Sequence, residues 1–301
     1  MSVKWMDTIW REFITKNIDD ALLFFMPELA ADRDYSREPV LLSNELRAIG
    51  GSSDKGARYA DLALSIPLKS GADHRILLHV EQQHAYDPDF PLRMFQVYYR
   101  VSDQFLIPVT SFAIFTGDRS SAAFYFNEHY GTRVQFEYNV YEVRTANEEA
   151  LKNNENIFAL VILAAKRMLE AGGDPKKRGS FSFELLRLLR KRDYDDRRAK
   201  SLQLFIYRIL QISDEKINRR VRRVWDMQGI PISEAVKEIW ARDAIEEGMK
   251  KGREEGIEIG MEKGMEKGVE KVARSMLDAG VSPEAIQKYT GLNKENILAL
   301  R

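Results

Sequence analysis

The chain has 301 residues, enough for one or two hydrophobic cores. No run approaches the roughly 18 uninterrupted apolar residues of a membrane-spanning helix, and the lack of cysteine excludes disulfide scaffolds, thiolate zinc sites and cysteine nucleophiles together. Net charge is zero, yet residues 176–223 hold 16 Lys and Arg against 6 Asp and Glu, a surplus of ten that suits a nucleic acid partner and equally a solvated helical surface.

Residues 1–25 interleave apolar side chains with Asp7, Arg11, Glu12, Lys16, Asp19 and Asp20. That is the pattern of an amphipathic helix in a cytoplasmic protein, not the charged-then-apolar order of a secretory signal. A turn at Pro27 and a break at Pro39 follow. Residues 58–145 are rich in β-branched and aromatic runs bounded by Gly, Asp and Pro, which predicts strands. Two of these, 59–68 and 75–83, flank the turn-rich Lys69-Ser-Gly-Ala-Asp73 and make a hairpin. The period of two puts Leu62, Leu64, Ile66, Ile76, Leu78 and Val80 on one face. Asp61, Ala63, Ser65, His79, Glu81 and Gln83 then share the other, and a turn centred near Gly71 sets Asp61 opposite Glu81.

A helix over 91–104 comes next, with Asp89 as its cap, Pro91 in its first turn and Met94, Val97, Tyr98 and Val101 as the stripe that packs on the sheet. Arg93, Gln96 and Arg100 lie on other faces, within reach of phosphate or simply solvated. Strands at 109–116, 123–126 and 133–143 complete a sheet of about five strands. From 147 to 250 the pattern is helical, with Ile157, Leu160, Val161, Ala164 and Met168 on one face and Phe205, Ile209 and Ile212 on another. Glycines at 248, 252, 256, 260, 264 and 268 then recur every four residues among Glu, Lys and Met. Each costs a helix about 1 kcal/mol relative to Ala, so either close helix–helix approach in a homodimer or a flexible charged spacer is expected. In residues 272–301, Ser282 and Pro283 start a helix, Gly291 ends it and Asn293 caps another, an arrangement like a helix-turn-helix. With only Lys294 and the terminal Arg301 basic on the second helix, packing or oligomerisation is favoured over base reading.

Two carboxylates facing each other across an antiparallel pair repel, and a fold built only for stability avoids them. A divalent cation reverses that sign. Mg²⁺ takes oxygen ligands from one or two carboxylates plus water and phosphate, which Asp61 and Glu81 can offer, and Gln83 projects from the same face to orient a water. His79 shares that face as a hydrogen-bonded spectator, whereas His74, His84 and His129 read as surface residues.

Asp61 followed by Glu81-Gln82-Gln83, in the context Leu77-Leu-His-Val-Glu-Gln-Gln83, resembles the D…(D/E)xK signature of restriction-endonuclease-like proteins. Phe24-Phe-Met-Pro-Glu-Leu29, Asp87-Pro-Asp-Phe90 with Arg93-Met-Phe95, and Pro108-Val-Thr-Ser-Phe-Ala-Ile-Phe-Thr116 resemble more particularly the recombination-promoting nuclease and transposase branch of the PD-(D/E)XK family. So do Leu277-Asp-Ala-Gly-Val-Ser-Pro-Glu-Ala-Ile286 and Thr290-Gly-Leu292. The resemblance implies an α/β fold: a restriction-endonuclease-like core, with a mixed sheet of about five strands flanked by helices, then an all-α C-terminal region. Its division would be a nuclease-like domain over 1–146, a basic helical region over 147–245, the glycine-repeat segment over 246–271 and the helix-turn-helix-like tail over 272–301.

The implied activity is a Mg²⁺-dependent DNA endonuclease, with Mn²⁺ able to substitute, acting in recombination or transposition. Asp61 and Glu81 hold the metal, Glu45 in Leu42-Ser-Asn-Glu45 completes its shell, and Asp61, Glu81 and Gln83 are the catalytic set. Gln83 stands where the signature has Lys, which removes a cation from the transition-state site, and Arg93 is the nearest replacement in sequence. The second reading is a catalytically weak DNA-binding or oligomeric protein that keeps the fold. Expected partners are DNA and a second copy of the chain bound through its C-terminal region, with no membrane.

Overall fold

The computed structural model describes residues 3–42, 62–70, 74–227 and 234–300, which divide into two compact units, Met1–Val236 and Lys237–Arg301. Glu45, Asp61 and the turn residues 71–73 lie outside the described residues.

The first unit is α/β. It opens with helices α1 (Val3–Lys16), α2 (Ile18–Phe25) and α3 (Pro27–Asp32), then strands β1 (Val40–Leu41), β2 (Leu62–Pro67) and β3 (Arg75–Gln83). Helix α4 (Phe90–Phe105) leads to β4 (Val109–Phe115), a hairpin of β5 (Phe124–His129) and β6 (Thr132–Glu137), and β7 (Asn139–Glu142). Five strands form one mixed sheet in the order β1-β2-β3-β4-β7. The β2–β3 ladder is antiparallel, from Leu62↔Val80 to Pro67↔Arg75, the register the alternation predicts. β3 and β4 are parallel, from Leu77↔Val109 to Gln83↔Phe115, and α4 provides the crossover that a parallel pair requires.

Both faces of the sheet are covered, which explains why β2 is buried at every position. Ile14, Ile18, Ala21, Leu22 and Phe25 of α1 and α2 lie over Leu78, Val80, Phe112 and Ile114. On the opposite face Val97 and Val101 of α4 pack with Ala63 and Leu77, and Phe90 and Met94 with Ala113, Phe115 and Tyr138. The stripe expected for α4 is therefore the one it buries. Tyr98, its fourth member, meets Phe136 of the β5–β6 hairpin at 4.8 Å between centroids instead of the sheet.

The predicted strand over 133–143 is divided. β6 pairs only with β5 in a separate two-stranded sheet, and β7 joins the main sheet beside β4, with Tyr138 between them. Tyr130 and Gly131, both at positive φ (47° and 83°), make the two-residue turn that closes β5–β6. Once β6 is committed to that hairpin, the chain must break to reach β4.

Helices α5 (Glu148–Asn153), α6 (Ile157–Ala171), α7 (Pro175–Arg190), α8 (Asp196–Leu210) and α9 (Glu215–Met227) follow. The sequence assigns α6 one apolar face, but every residue from Ile157 to Ala165 is buried, because α6 is the centre of this layer. Trp10 and Phe13 of α1 meet Phe205 at 5.3 and 5.0 Å, and Phe13 meets Phe158 at 5.2 Å, so the N-terminal helices share one core with the helical region.

Much of the basic surplus is used inside this unit. Arg178 donates to the carbonyls of Gly172, Leu210 and Gln211 at the ends of α6 and α8. Arg198 forks onto Asp20 with two 3.0 Å bonds, Arg208 pairs with Glu12 at 2.5 Å, and Arg192 pairs with Glu155. These ties join the helical layer to α1, α2 and its own loops. Lys176, Lys177, Arg187 and Arg190 remain exposed.

The second unit contains the greater part of α10 (Glu234–Asp278), with α11 (Pro283–Thr290) and α12 (Lys294–Ala299). The glycine repeat is helical throughout. Ser282 and Asn293 cap α11 and α12 as expected, and Gly291 ends α11 at φ 74°. Ala273, Ile286 and Ile297 make a small core with Met276, Leu277 and Leu292. Lys294 pairs with Glu284 at 2.6 Å, so its ammonium is engaged within the tail. Among the described residues no helix is long and apolar enough to cross a membrane.

Candidate functional site

The alternation of β3 sends Leu77, His79, Glu81 and Gln83 to the α4 side of the sheet, and the site lies where β3 and β4 run out together. His79 faces Ala63 on one side and Ser111 on the other, and Glu81 faces Ala113. Small neighbours leave room for these polar side chains inside a covered sheet. His79 is fully buried and Glu81 is 4% exposed. His79 Nε2 lies 3.0 Å from Glu81 Oε1, and His79 Nδ1 lies 3.2 Å from Ser111 Oγ. In the Nε2–H tautomer the imidazole donates to Glu81 and accepts from the Ser111 hydroxyl, so the ring fixes the carboxylate's rotamer. The hydrogen-bonded role expected for His79 is the one observed, and the residue it serves is Glu81.

Gln83 ends the strand. Its Oε1 accepts from Arg93 Nη2 at 2.7 Å, and its Nε2 donates to the Ala85 carbonyl at 2.5 Å. Arg93, in the first turn of α4, also pairs with Asp87 and lies over the Phe90 ring at 4.8 Å. The guanidinium thus reaches the Gln83 amide at the end of the strand. Asp89 occupies the N-cap position of α4, but its side chain makes no capping bond. Asp87 is the organising acid, accepting from the Asp89 backbone N–H at 2.9 Å as well as holding Arg93. His84, read as a surface residue, is half-buried against the Thr116 carbonyl at 3.2 Å. A Cβ on Gly117 would lie 1.7 Å from the His84 carbonyl oxygen, so this return past the strand ends admits only glycine.

A second carboxylate arrives from a direction the strand pattern does not contain. Asp7, near the start of α1, has a buried Oδ1 with no hydrogen-bond partner. Burial, and next the Glu81 carboxylate, push its carboxyl above the ordinary 3.8, while Arg93 and His84 pull the other way. Asp7 therefore lies within electrostatic reach of Glu81, Arg93 and His84. The available signal was its place on the α1 stripe, three residues before Trp10 and seven before Ile14, both buried. An acid on an apolar stripe requires a reason.

Glu81, Gln83 and Arg93 are thus brought together, with Asp7 and His79 added to them. The described residues contain no group of three or more His, Asp or Glu side chains placed to hold a metal. Comparison of the chain with family models, with curated proteins and with solved structures finds no match.

Proposed function

We propose that this chain is a Mg²⁺-dependent DNA endonuclease of the PD-(D/E)XK type, related to the recombination-promoting nucleases, with a restriction-endonuclease-like core. The observation that carries the reading is a buried carboxylate, Glu81, fixed by His79 at the end of a central strand within electrostatic reach of Asp7, whose Oδ1 is buried without a partner. Two acids brought near a strand end at a cost to stability, in a chain without thiolate ligands, fit a hard divalent cation.

In this reading Asp61, one residue before the last described pair Leu62↔Val80, and Glu81 are the principal ligands, with Asp7 or Glu45 as the supporting acid. The bound cation would polarise the scissile phosphate and lower the pKa of the attacking water. His79 would hold Glu81 in its ligating rotamer, Gln83 would orient the water, and Arg93 would offer the donors that face the phosphate. The exposed Lys and Arg of α7 are surface cations available to DNA phosphates.

The test is nicking of supercoiled plasmid in Mg²⁺, Mn²⁺ or Ca²⁺ by wild type, Asp61→Ala, Glu81→Ala and Asp7→Ala. Cleavage in Mg²⁺ that is lost in the Asp61 and Glu81 variants supports the reading; equal activity in all four proteins refutes the site. Loss in Asp7→Ala assigns Asp7 to the shell, and its full activity leaves that place to Glu45.

One observation favours a second reading, a catalytically weak DNA-binding protein. Gln83 is bonded through both ends of its amide and the charge of Arg93 is offset by Asp87, so neither offers the free cation that the signature's lysine supplies. Salt-sensitive DNA binding without cleavage in any of the three metals would establish it.

A further inference from the structure

We propose that the second unit is a parallel, two-fold homodimerisation device in which the Met and Ile column of α10 in one copy fits the glycine column of the other. The proposal is independent of the nuclease reading. Every residue from 256 to 268 is exposed, and a Cβ added at any of the six repeat glycines would meet nothing within 4 Å. Ile257, Met261 and Met265 form a neighbouring column at 55, 65 and 70% exposure. An exposed apolar ridge beside an empty groove is complementary to itself.

The repeat determines how two such surfaces meet. A period of four exceeds 3.6 residues per turn, so both columns wind around the helix by about 40° per step. A long parallel seam would need a period near 3.5, and this repeat cannot make one. Its ridge and groove follow the i±4 rows, and interdigitating those rows in two helices gives a crossing near −50°. Glycine on the groove lets the backbones approach closely at that crossing.

Charge selects a second copy as the occupant and sets its direction. Beyond the Met column lie Glu258, Glu262, Glu266 and Glu270; beyond the glycine column lie Lys263, Lys267 and Lys271. A two-fold axis along a parallel pair sets the Glu flank of each copy against the Lys flank of the other. An antiparallel pair would set Glu against Glu and Lys against Lys.

Sedimentation equilibrium of the full chain should give a dimer that weakens with salt. Gly264→Leu should make it monomeric, although leucine favours helix over glycine, so circular dichroism should show helicity equal to or above wild type. The variant carrying E258K, E262K, E266K and E270K and the variant carrying K263E, K267E and K271E should each be monomeric, and their mixture should dimerise. Since the chain has no cysteine, Gly260→Cys and Gly268→Cys alone should each form a disulfide-linked dimer on mild oxidation. A monomeric wild type, or a dimer indifferent to Gly264→Leu, overturns the proposal. Disulfides that form only when the two cysteine variants are mixed overturn the parallel arrangement.

Discussion

Asp7→Asn separates the stability of this protein from its proposed metal binding, because the two should move in opposite directions. In the metal-free protein the Asp7 carboxylate has an unpartnered, buried Oδ1 and the Glu81 carboxylate in range. The cost that the variant removes is that of the desolvated charge and its repulsion from Glu81; Asp7 is only partly buried, and solvent screening holds that figure to about 1 kcal/mol. Asparagine removes the charge at constant shape, so the apo variant should melt roughly 2–4 °C above wild type for a unit of this size. The folded-state pKa of Asp7 lies above the ordinary value, so folding takes up a proton as pH falls through the raised pKa. Wild type therefore recovers stability on acidification, and its deficit against Asp7→Asn should shrink and vanish near pH 3.8. Magnesium should reverse the order at neutral pH. At a hundred times its dissociation constant a bound ion stabilises by about 2.7 kcal/mol, roughly 5–10 °C, and the variant should lose most of that gain. Differential scanning calorimetry with EDTA and with Mg²⁺ measures both effects. An apo variant less stable than wild type, with an unchanged Mg²⁺ shift, would refute the reasoning on both counts.

Ser111→Ala removes the hydroxyl that orients His79 and should raise the Mg²⁺ concentration needed for half-maximal nicking up to about tenfold, whereas His79→Ala, which frees Glu81 directly, should raise it about 10–100-fold; an unchanged metal titration in both would remove His79 from the site. Gln83→Lys should not raise nicking despite restoring the signature residue, because the new ammonium meets Arg93 where an amide now accepts its hydrogen bond. The double variant Gln83→Lys with Arg93→Gln should exceed either single change, and a fully additive pair in the nicking assay would show that the two side chains act independently. Arg198→Ala should lower the melting temperature through loss of the Asp20 fork and leave the salt slope of DNA binding unchanged. Lys176→Ala with Lys177→Ala should reduce the log–log salt slope by about 2 without destabilising the protein. Fluorescence anisotropy across a salt series distinguishes them, and the reverse pattern would overturn the division between internal and exposed cations.

The parts of the fold that were legible in the sequence are those set by local periodicity. The β2–β3 register follows from strict alternation around one turn, and the α4 stripe from 3.6-residue spacing, so each could be read within a window of about twenty residues. Failures occurred where a distant element decides. The alternation of residues 133–143 runs through Tyr138 with no Gly or Pro to mark the change of sheet, and only the competition between β5 and β4 for a partner breaks it. The single face assigned to α6 ignored that a helix can be covered by several neighbours at once. The basic surplus is visible in the sequence but its internal partners are not, because Asp20, Glu12 and Glu155 hold three of its arginines from remote positions.

The candidate site illustrates the same division. Glu81 and Gln83 are visible because one strand carries both, and Arg93 because it begins the next helix. Asp7 is separated from Glu81 by more than seventy residues, and its approach depends on α1 being held by Trp10 and Phe13 against Phe205 and Phe158. The helical layer, which carries none of the proposed ligands, thereby sets the distance between two of them. That dependence links stability to the site: a change that loosens Phe205 or Phe158 shifts α1, and with it the Asp7 carboxylate. In the nuclease reading, selection on this core would act through the spacing of the acids as well as through the free energy of folding, and an orphaned oxygen would persist where stability alone would remove it.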